Sequence, residues 1–381
     1  MRLALIGPVY PYRGGIAHYT TALHRAIREA GHSILMISFS RQYPDWLFPG
    51  HSDRDPSISH EEVVEAKYWI DSVNPLTWLR SWRNMEKYEP EVIVMQWWTP
   101  WWAPAWFVIG YLNQLFNDRP LLFLCHNVLP HENRWWDPIL ARSVLRRARH
   151  FVVHSRDEKQ RLLELLPTAE VTVSPLPILE LYHAGQVTRE EARVRLDLPI
   201  DSPVLLFFGI VRAYKGLQDL LTALGIVRKQ LKDVQLVVAG EFWEDETPYR
   251  TLIDELGISQ SVRIDNRYIP NEEANIYFSA ADLLVAPYRQ VTGSAVVQLA
   301  RGFGLPVVTT AIGALAEAAD NAGSSLVPPR NPEQLAKVII RCFEDGLRPD
   351  VPPVVRKREG RASWQQLVAT IESLGSEHHH E

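Results

Sequence analysis

The stretch that decides the fold is APYRQVTGSAVVQLARGFGLPVVTT, residues 286–310. It follows a short apolar run that closes on a proline, which is typical of an interior parallel strand. Thr292, Gly293 and Ser294 then place a glycine and two hydroxyls before a helical pattern, and another buried strand follows. Free backbone N–H groups and the helix dipole favour an anion at such a helix start. The alternative is an ordinary capped turn, since a short glycine-containing motif is weak evidence by itself.

A second loop upstream carries positive charge. The apolar strand VLLFF, residues 204–208, runs into GIVRAYKG, residues 209–216, and then into a leucine pattern with helical spacing. Arg212 and Lys215 therefore lie on a strand-to-helix loop. Ligands of an open α/β sheet bind beyond the carboxyl ends of its strands, so the two loops are expected to converge on one phosphate site.

Together these segments resemble the GT-B glycosyltransferases, specifically the large retaining group known as family 4, over nearly the whole chain. FFGIVRAYKG is similar to the family's donor-phosphate loop, and VVAGE, residues 237–241, is similar to the strand and turn after it. NRYIPNEEANIYFSAADLLVAPY, residues 266–288, resembles the segment that brackets the nucleotide base. The resemblance implies a donor site made of Gly14, Gly15, Gly209, Arg212, Lys215, Glu241, Tyr268, Gln290, Thr292, Gly293, Ser294 and Gln298. For Glu241, a surface turn position and a nucleotide contact are equally open.

The chain departs from the family pattern at two positions. The family carries two glutamates eight positions apart in the last loop, and Gln290 and Gln298 stand at the matching places. An amide still hydrogen-bonds a hydroxyl, but it brings no charge to a developing oxocarbenium ion. Relative to the commoner family pattern, there is also one extra residue between Gln298 and Pro306. We interpret the site as a variant branch that carries TGS in place of the glutamate-centred loop.

Length and composition support a two-domain α/β protein. A chain of 381 residues with 46% hydrophobic content is long enough for two cores. We expect a Rossmann-like first domain at 1–180, a nucleotide-sugar domain at 181–350, and a C-terminal helix within 351–381 that crosses back, the two domains facing a central cleft. The net charge of −5 argues against nucleic acid as a partner. Two cysteines in apolar runs and the absence of a visible signal peptide fit a cytoplasmic protein.

The first seven residues predict a parallel strand, and a loop with Gly14 and Gly15 follows. Glycines let backbone approach a ligand closely, although a plain turn has the same composition. In the resembled family this loop faces the donor, which favours the ligand interpretation. His18, just inside the next helix, is compatible with the same site or with solvent.

Aromatic residues concentrate after the strand at 92–96. Residues 97–107 hold five of the 13 tryptophans. They are compatible with core packing, with an acceptor groove that includes Trp98 and Trp101, or with an interfacial belt at a bilayer. Residues 41–75 show no clear period and predict a long loop with one short helix.

The segment HNVLPHE, residues 126–132, follows a buried strand at 121–125. An imidazole at that strand end points at the crevice of a doubly wound sheet. Family members often carry a functional histidine here, so the resemblance implies a catalytic His126, with His131 and Glu132 positioning the acceptor or orienting His126. Two histidines and a glutamate also fit a metal site, but a loop sequence does not set ligand geometry. We expect no metal.

Two basic helices complete the pattern. Residues 139–151 predict an amphipathic helix whose arginines either face solvent or bind anionic lipid headgroups. Residues 189–198 predict a helix on which Arg193 and Arg195 are surface charges.

The expected function is metal-independent transfer, with retention, of a hexose-type sugar from a nucleotide donor such as a UDP- or GDP-sugar. No cofactor is expected, and the acceptor is a glycan or a lipid-linked glycan, with peripheral contact at the inner membrane surface. Arg212 and Lys215 neutralise the leaving diphosphate in this scheme. The alternatives are a silent sugar-nucleotide-binding protein, suggested by the two glutamines, and a GT-B epimerase.

Overall fold

The computed structural model describes residues 1–376 with the exception of 45, 49, 51, 58–62, 131–133, 179–186, 292, 320–324 and 347–352. The chain forms two compact units. The first comprises Met1–Asp55, His60–Pro177 and Arg361–Glu381, and the second comprises Pro56–Ser59 and Ile178–Gly360. Each unit is described by itself below.

The first unit is a parallel sheet covered by helices. Its described strands are β1 (Arg2–Ile6), β2 (Ser33–Arg41), β3 (Lys67–Asp71), β4 (Val92–Trp97), β5 (Leu121–Cys125), β6 (His150–Val153) and β7 (Glu170–Val173). They are joined by α1 (Gly15–Glu29), α2 (Pro75–Glu86), α3 (Ala103–Phe116), α4 (Asp137–Leu145) and α5 (Arg156–Leu165). The strand order is β3-β2-β1-β4-β5-β6-β7, with every pair parallel. The central strands are buried on both faces, which explains their uninterrupted apolar sequences.

The second unit repeats this plan with six strands in its described part. They are β8 (Val204–Phe208), β9 (Gln235–Ala239), β10 (Val262–Asp265), β11 (Leu283–Ala286), β12 (Val307–Thr310) and β13 (Ser325–Val327). The helices are α6 (Arg189–Arg195), α7 (Leu217–Val227), α8 (Thr247–Glu255), α9 (Asn271–Ala280), α10 (Ala295–Phe303), α11 (Gly313–Ala319) and α12 (Pro332–Glu344). The order β10-β9-β8-β11-β12-β13 is again parallel throughout.

Both sheets reverse their strand order at the same place. The reversal lies between β1 and β4 in the first unit and between β8 and β11 in the second. In doubly wound sheets the loops that leave the two strands at this switch point diverge and open a crevice for a ligand. The α/β prediction with two Rossmann-like sheets is confirmed. A ligand site is expected at the switch point of each sheet.

The last helix, α13, spans Pro353–Ser376. From Arg361 onward its residues belong to the first unit. Leu367, Val368 and Ile371 are buried there in a cluster with apolar side chains of β1, β4 and β5.

Two sequence-based boundaries are wrong. Residues 41–75 contain a strand, β3, which is short and pairs with β2 through an irregular register. The helix predicted for 139–151 ends at Leu145, because the chain turns and enters β6 at His150. The short strand β13 (Ser325–Val327) was also not predicted, whereas the remaining strands agree with prediction to within a few residues at either end.

Arg193 is not a surface residue, contrary to the prediction. Its side chain is fully buried and donates to Asp282 at 2.7 Å, and further N–H groups bind main-chain carbonyls of Ala280 and Ser202. Asp282 also accepts the backbone N–H of Val204 at 2.8 Å. Because a buried charge is tolerated only when paired and hydrogen-bonded, this ion pair joins α6 to the beginnings of β8 and β11.

Most of the aromatic run after β4 is core. Trp97, Trp102 and Trp106 are at most 1% exposed. Phe39 of β2 stacks on Trp102 with ring centroids 4.2 Å apart. The indole N–H groups of Trp97 and Trp106 donate to main-chain carbonyls of Val128 and Gln96, respectively, so these buried rings pay no penalty for their polar atoms.

Candidate functional site

In the second unit, the loops after β8 and β9 touch backbone to backbone. Gly209 has φ 95°, and Gly240, with φ 153°, lies so close that a Cβ there would stand 2.0 Å from the Gly209 carbonyl oxygen. The N–H of Val211 then donates to the carbonyl of Glu241 at 2.9 Å. The direction in which the basic loop, residues 209–216, leaves β8 is therefore set by its backbone contacts with the end of β9.

A second close approach joins the basic loop to the loop after β11. Gly216 has φ 73°, and a Cβ there would lie 2.0 Å from the carbonyl oxygen of Pro287. The N–H of Arg289 donates to the carbonyl of Tyr214 at 2.7 Å. The Arg289 side chain in turn forms a two-point ion pair with Asp219 of α7, at 2.9 and 2.8 Å. The two loops predicted to converge are thus held together by backbone contacts at the switch point.

Lys215 and Arg212 are the cations of this edge. The ammonium of Lys215 lies 4.1 Å from the ring centroid of Tyr288, which follows β11. Burial alone lowers the pKa of Lys215, but the phenol groups of Tyr288 and Tyr214 more than offset it, so the pKa is raised. The Arg212 guanidinium lies 5.3 Å from the ring of Trp243. Lys215 therefore keeps its positive charge at neutral pH.

The N-terminus of α10 is connected to Lys215 through the side chain of Tyr288. Ser294 caps it by accepting the N–H of Val297 at 3.3 Å, and the Ser294 hydroxyl lies 3.2 Å from that of Tyr288. Tyr288 therefore touches both Lys215 and the cap of α10. Gly293 is part of the same turn, whereas Thr292 lies outside the described residues.

The two glutamines have different environments. Gln290 is exposed in the loop after β11. Gln298 is 5% exposed on the first turn of α10, where Arg301 donates to its side-chain oxygen at 3.5 Å.

Glu241 and Tyr268 follow the next two strands. Glu241 is buried and accepts the indole N–H of Trp243 at 3.0 Å, which makes it the partner of the ring that Arg212 covers. The surface-turn interpretation of Glu241 is therefore wrong. Tyr268 is half-buried in the loop after β10, at the edge of the sheet and two strands away from β8.

In the first unit, the ends of β4, β5 and β6 carry uncharged polar groups, whereas the loop after β1 also carries Arg13. Gly14 has φ 103° and open space where a Cβ would be, and Gly15 is exposed at the start of α1. At the switch point itself, a Cβ on Gly7 would meet the amide of Gln96 at 3.0 Å. His18 lies 3.9 Å from the buried carboxylate of Asp55.

His126 comes directly after β5 and is fixed by Gln96. Its Nε2 lies 3.0 Å from the side-chain oxygen of Gln96, and the hydroxyl of Thr20 reaches that same oxygen at 3.0 Å. An amide oxygen only accepts, so Nε2 carries the proton and Nδ1 is left as the acceptor of the ring. Burial, together with the neighbouring His154, holds the pKa of His126 well below its ordinary value.

His154 and Tyr19 extend this cluster. His154 follows β6 and donates its Nδ1–H to the Ser174 carbonyl at 2.8 Å, and burial lowers its pKa to about 4. Tyr19 packs edge-on against both imidazoles, at 4.7 and 5.3 Å. The Tyr19 hydroxyl, the Gln96 amide nitrogen and His154 Nε2 are buried and have no hydrogen-bond partner within the described part of the chain. The edge thus offers uncharged polar groups in an otherwise apolar setting.

The predicted acceptor residues differ in placement. Trp98 is 9% exposed and donates to the Tyr43 hydroxyl at 3.0 Å, while Trp101 is half-buried against the core. His131 and Glu132 lie outside the described residues. In the described ranges, no group of three or more His, Cys, Asp or Glu side chains is arranged to hold a metal.

Sequence reasoning missed several residues that shape these edges. Arg289 and Trp243 orient the basic loop, and Gln96 and His154 surround His126. Arg289, Trp243 and His154 lie in the loops after β11, β9 and β6, and Gln96 lies near the end of β4. Those positions were the available signal, since polar residues at carboxyl strand ends face the crevice.

Comparison with known proteins gives two family matches. Residues 13–178 match the model "Glycosyltransferase Family 4", and residues 202–345 match "Glycosyl transferases group 1". The chain belongs to these GT-B glycosyltransferases, as the resemblance implied.

Two curated relatives share 25–35% sequence identity with this chain. The chain is 35% identical over 219 residues to D-inositol 3-phosphate glycosyltransferase 1 of Catenulispora acidiphila, which covers 54% of this chain and 51% of that protein. It is 25% identical over 289 residues to the D-inositol 3-phosphate glycosyltransferase of Corynebacterium glutamicum, covering 70% and 68%. The chain spans about half the length of the first curated relatives it matches.

Solved structures share the fold. A glycosyltransferase from Rickettsia africae superposes with a TM-score of 0.71 at 18% identity, covering 99% of this chain and 98% of that one. The HepE protein of Anabaena, solved with UDP and glucose, gives 0.68 at 15% identity, with the same coverage.

Proposed function

We propose that this chain transfers a hexose-type sugar from a UDP- or GDP-sugar to a glycan or glycolipid acceptor, with retention of configuration and without a metal. The observation that carries the proposal is the switch point of the second unit. There Gly216 packs on Pro287, Lys215 lies over Tyr288, and Ser294 opens α10. Two cations and a helix N-terminus at one crevice form a site for a diphosphate.

The chemistry follows from charge. As the bond between sugar and diphosphate breaks, negative charge grows on the leaving phosphate, and Lys215 and Arg212 stabilise it without reorganising. Lys215 is preorganised by Tyr288 and Arg212 by Trp243. A charged ammonium in a half-buried setting interacts more strongly with phosphate than one in open solvent. The acceptor hydroxyl then bonds to the anomeric carbon on the face of the sugar that the phosphate leaves, and its proton passes to that phosphate.

His126 would act as an uncharged group. With its pKa lowered and Nε2 protonated toward Gln96, it offers Nδ1 as an acceptor. This favours orienting a sugar hydroxyl over neutralising the departing phosphate. The exposed Gln290 would hydrogen-bond the donor without charge, and Gln298 would hold its ribose, which makes the phosphate cations the main electrostatic contribution.

The proposed acceptor is a class of compounds, namely glycans and glycolipids. The names of the curated relatives make D-inositol 3-phosphate one compound to assay beside lipid-linked glycans. A cytoplasmic location with peripheral membrane contact completes the proposal. Within the described ranges, no helix is both long and apolar enough to cross a bilayer.

The test begins with binding. A thermal-shift panel of UDP, GDP, ADP and CMP is expected to give one clear stabilisation, because a ligand that binds only the folded state raises the melting temperature. The shift should vanish in Arg212→Ala/Lys215→Ala. It should persist in the matched control Lys229→Ala/Lys232→Ala, which removes two exposed lysines of the same unit. No shift with any nucleotide in the wild type would contradict the proposal.

Turnover separates the two remaining functions. A silent binding protein shows the nucleotide shift but releases no nucleotide from the matching sugar donor. An epimerase releases free nucleotide without any acceptor. A transferase forms a product whose anomeric configuration, read by NMR, matches that of the donor.

A further inference from the structure

The outer surface of the first unit contains a face with an unusual composition. Helices α2, α3 and α4 bury their inner sides in one hydrophobic cluster, through residues such as Met85, Trp106 and Val144. Neighbouring pairs of these helices pack against each other. Their outward sides therefore form one continuous layer, which we call the helical face.

The helical face exposes large apolar side chains. Leu115 is 59% exposed and Ile139 61%, and Trp135 at the start of α4 is 79% exposed. The exposed apolar residues of the face are Leu76, Leu79, Tyr111, Leu115, Phe116, Trp135, Trp136, Ile139 and Leu140. Single exposed apolar residues are ordinary, but a contiguous set on adjacent helices marks an interaction surface.

The exposed charges on this face have one sign, because the acidic residues of α2 and α4 are largely covered: Glu86 exposes 14% of its side chain and pairs with Arg119, and Asp137 is buried. Segments 72–85, 103–117 and 138–149 contain six arginines and no aspartate or glutamate. The chain as a whole has more acidic than basic residues, 45 against 40. Five of the six arginines, Arg80, Arg83, Arg142, Arg146 and Arg149, are exposed, and Arg149 is paired with Glu170 of β7. Arg147 packs between Phe107 and Tyr111 of α3, at 4.5 and 5.3 Å from their rings.

We propose that the helical face docks on a lipid bilayer that contains anionic headgroups. This deepens the proposed membrane contact, on which it rests. Apolar rings and aliphatic side chains enter the headgroup region, tryptophans lie at the boundary, and arginines meet lipid phosphates. An isologous dimer would place arginine against arginine, which disfavours a second copy. A bilayer with anionic headgroups offers lipid phosphates to the arginines and an apolar layer to the exposed side chains at the same time. Charge complementarity thus selects the anionic bilayer.

The experiment uses the full chain and vesicles of phosphatidylcholine with and without phosphatidylglycerol in a flotation assay. We expect binding to the anionic vesicles and weak binding to the neutral ones. Arg80→Gln/Arg83→Gln/Arg142→Gln/Arg146→Gln should weaken it by roughly fivefold for each arginine near the surface. The matched control Lys229→Gln/Lys232→Gln/Lys337→Gln/Arg341→Gln removes four exposed charges from the second unit and should bind normally.

A second pair of variants tests the exposed apolar side chains of the helical face. Leu115→Ser/Ile139→Ser should weaken binding about tenfold or more, because each substitution removes an exposed side chain that would insert. Val194→Ser/Ile200→Ser, at exposed apolar positions of the second unit, should leave it unchanged.

Three results would overturn the proposal. Undiminished vesicle binding in the arginine variant would assign the membrane contact to another surface. Failure of the wild type to bind either vesicle would remove the membrane contact altogether. A dimer in analytical ultracentrifugation that Leu115→Ser/Ile139→Ser dissociates would assign the face to a second copy. The assay needs no donor, and the nucleotide shift measured on the same variants tests the transfer proposal separately.

Discussion

The two switch points have the same topology and different chemistry. Between β8 and β11 lie the cations Lys215 and Arg212, with aromatic rings against them. Between β1 and β4, extending to β5, lie Gln96 and His126, uncharged and buried together with His154. One edge suits a phosphate and the other suits hydroxyl groups. The strand order therefore fixes where each sheet can open a crevice, and the side chains at the strand ends decide which chemical groups suit each edge.

The largest effect is expected from the backbone contact in the second unit. Gly216→Ala places a Cβ against the Pro287 carbonyl and forces an L-residue into a positive φ. The two costs together predict a loss of about 4 kcal/mol in the free energy of unfolding. Gly257→Ala is the matched control, because its φ of 64° is similar while no atom lies within 4 Å of the new Cβ. Urea unfolding should give a loss of about 1 kcal/mol there. Equal losses in the two variants would show that the close approach is not what holds the loops.

Lys215→Ala tests the charged edge directly. Turnover should fall at least about 100-fold, the scale for removing one preorganised electrostatic contact. Lys232→Ala, an exposed lysine of the same unit, should keep wild-type turnover. Unchanged sugar transfer in Lys215→Ala would erase the difference between the two edges.

The uncharged edge predicts a dependence of stability on pH. Because the pKa of His154 in the folded protein is about 4, below the ordinary 6.5, its neutral form stabilises the fold fully above pH 6.5. That contribution is lost as the pH falls toward 4. Between pH 7 and pH 5 the loss from this group amounts to about 2 kcal/mol.

His154→Asn is the variant for this measurement, since asparagine keeps a donor toward Ser174 and does not titrate. Unfolding free energies at pH 7 and pH 5 should differ by less in His154→Asn than in the wild type. The same pH dependence in both proteins would mean that folding does not lower the pKa of His154, and the contrast between the edges would weaken.

The smallest effect concerns the orientation of His126. Gln96→Leu removes the acceptor that faces Nε2, so the ¹⁵N NMR shifts of His126 should lose the signature of the Nε2-protonated tautomer. Turnover should fall about fivefold, the scale of one hydrogen bond. In a His126→Ala background the same substitution should have no further effect on turnover. Additive losses in the double variant would separate Gln96 from His126.

Local sequence was sufficient for the strand-to-helix units and for the basic loop. Uninterrupted apolar runs such as 121–125 and 204–208 predicted strands because a strand buried on both faces needs no polar positions. Arg212 and Lys215 followed from their place directly after a strand. Strands β3 and β13 were not predicted, since both are short and partly exposed and therefore resemble loops.

Other features were decided by tertiary structure. Arg193 has the sequence context of a surface helix, and only the meeting of α6 with Asp282 across the fold explains its burial. Arg289 became part of the site through a backbone contact with Tyr214, 75 positions earlier in the chain. The neutral state of His126 depends on side chains from β4, β6 and α1 that close around it. Sequence determines which groups stand at the strand ends, whereas burial and partners, which set charge and tautomer, arise only when distant segments pack together.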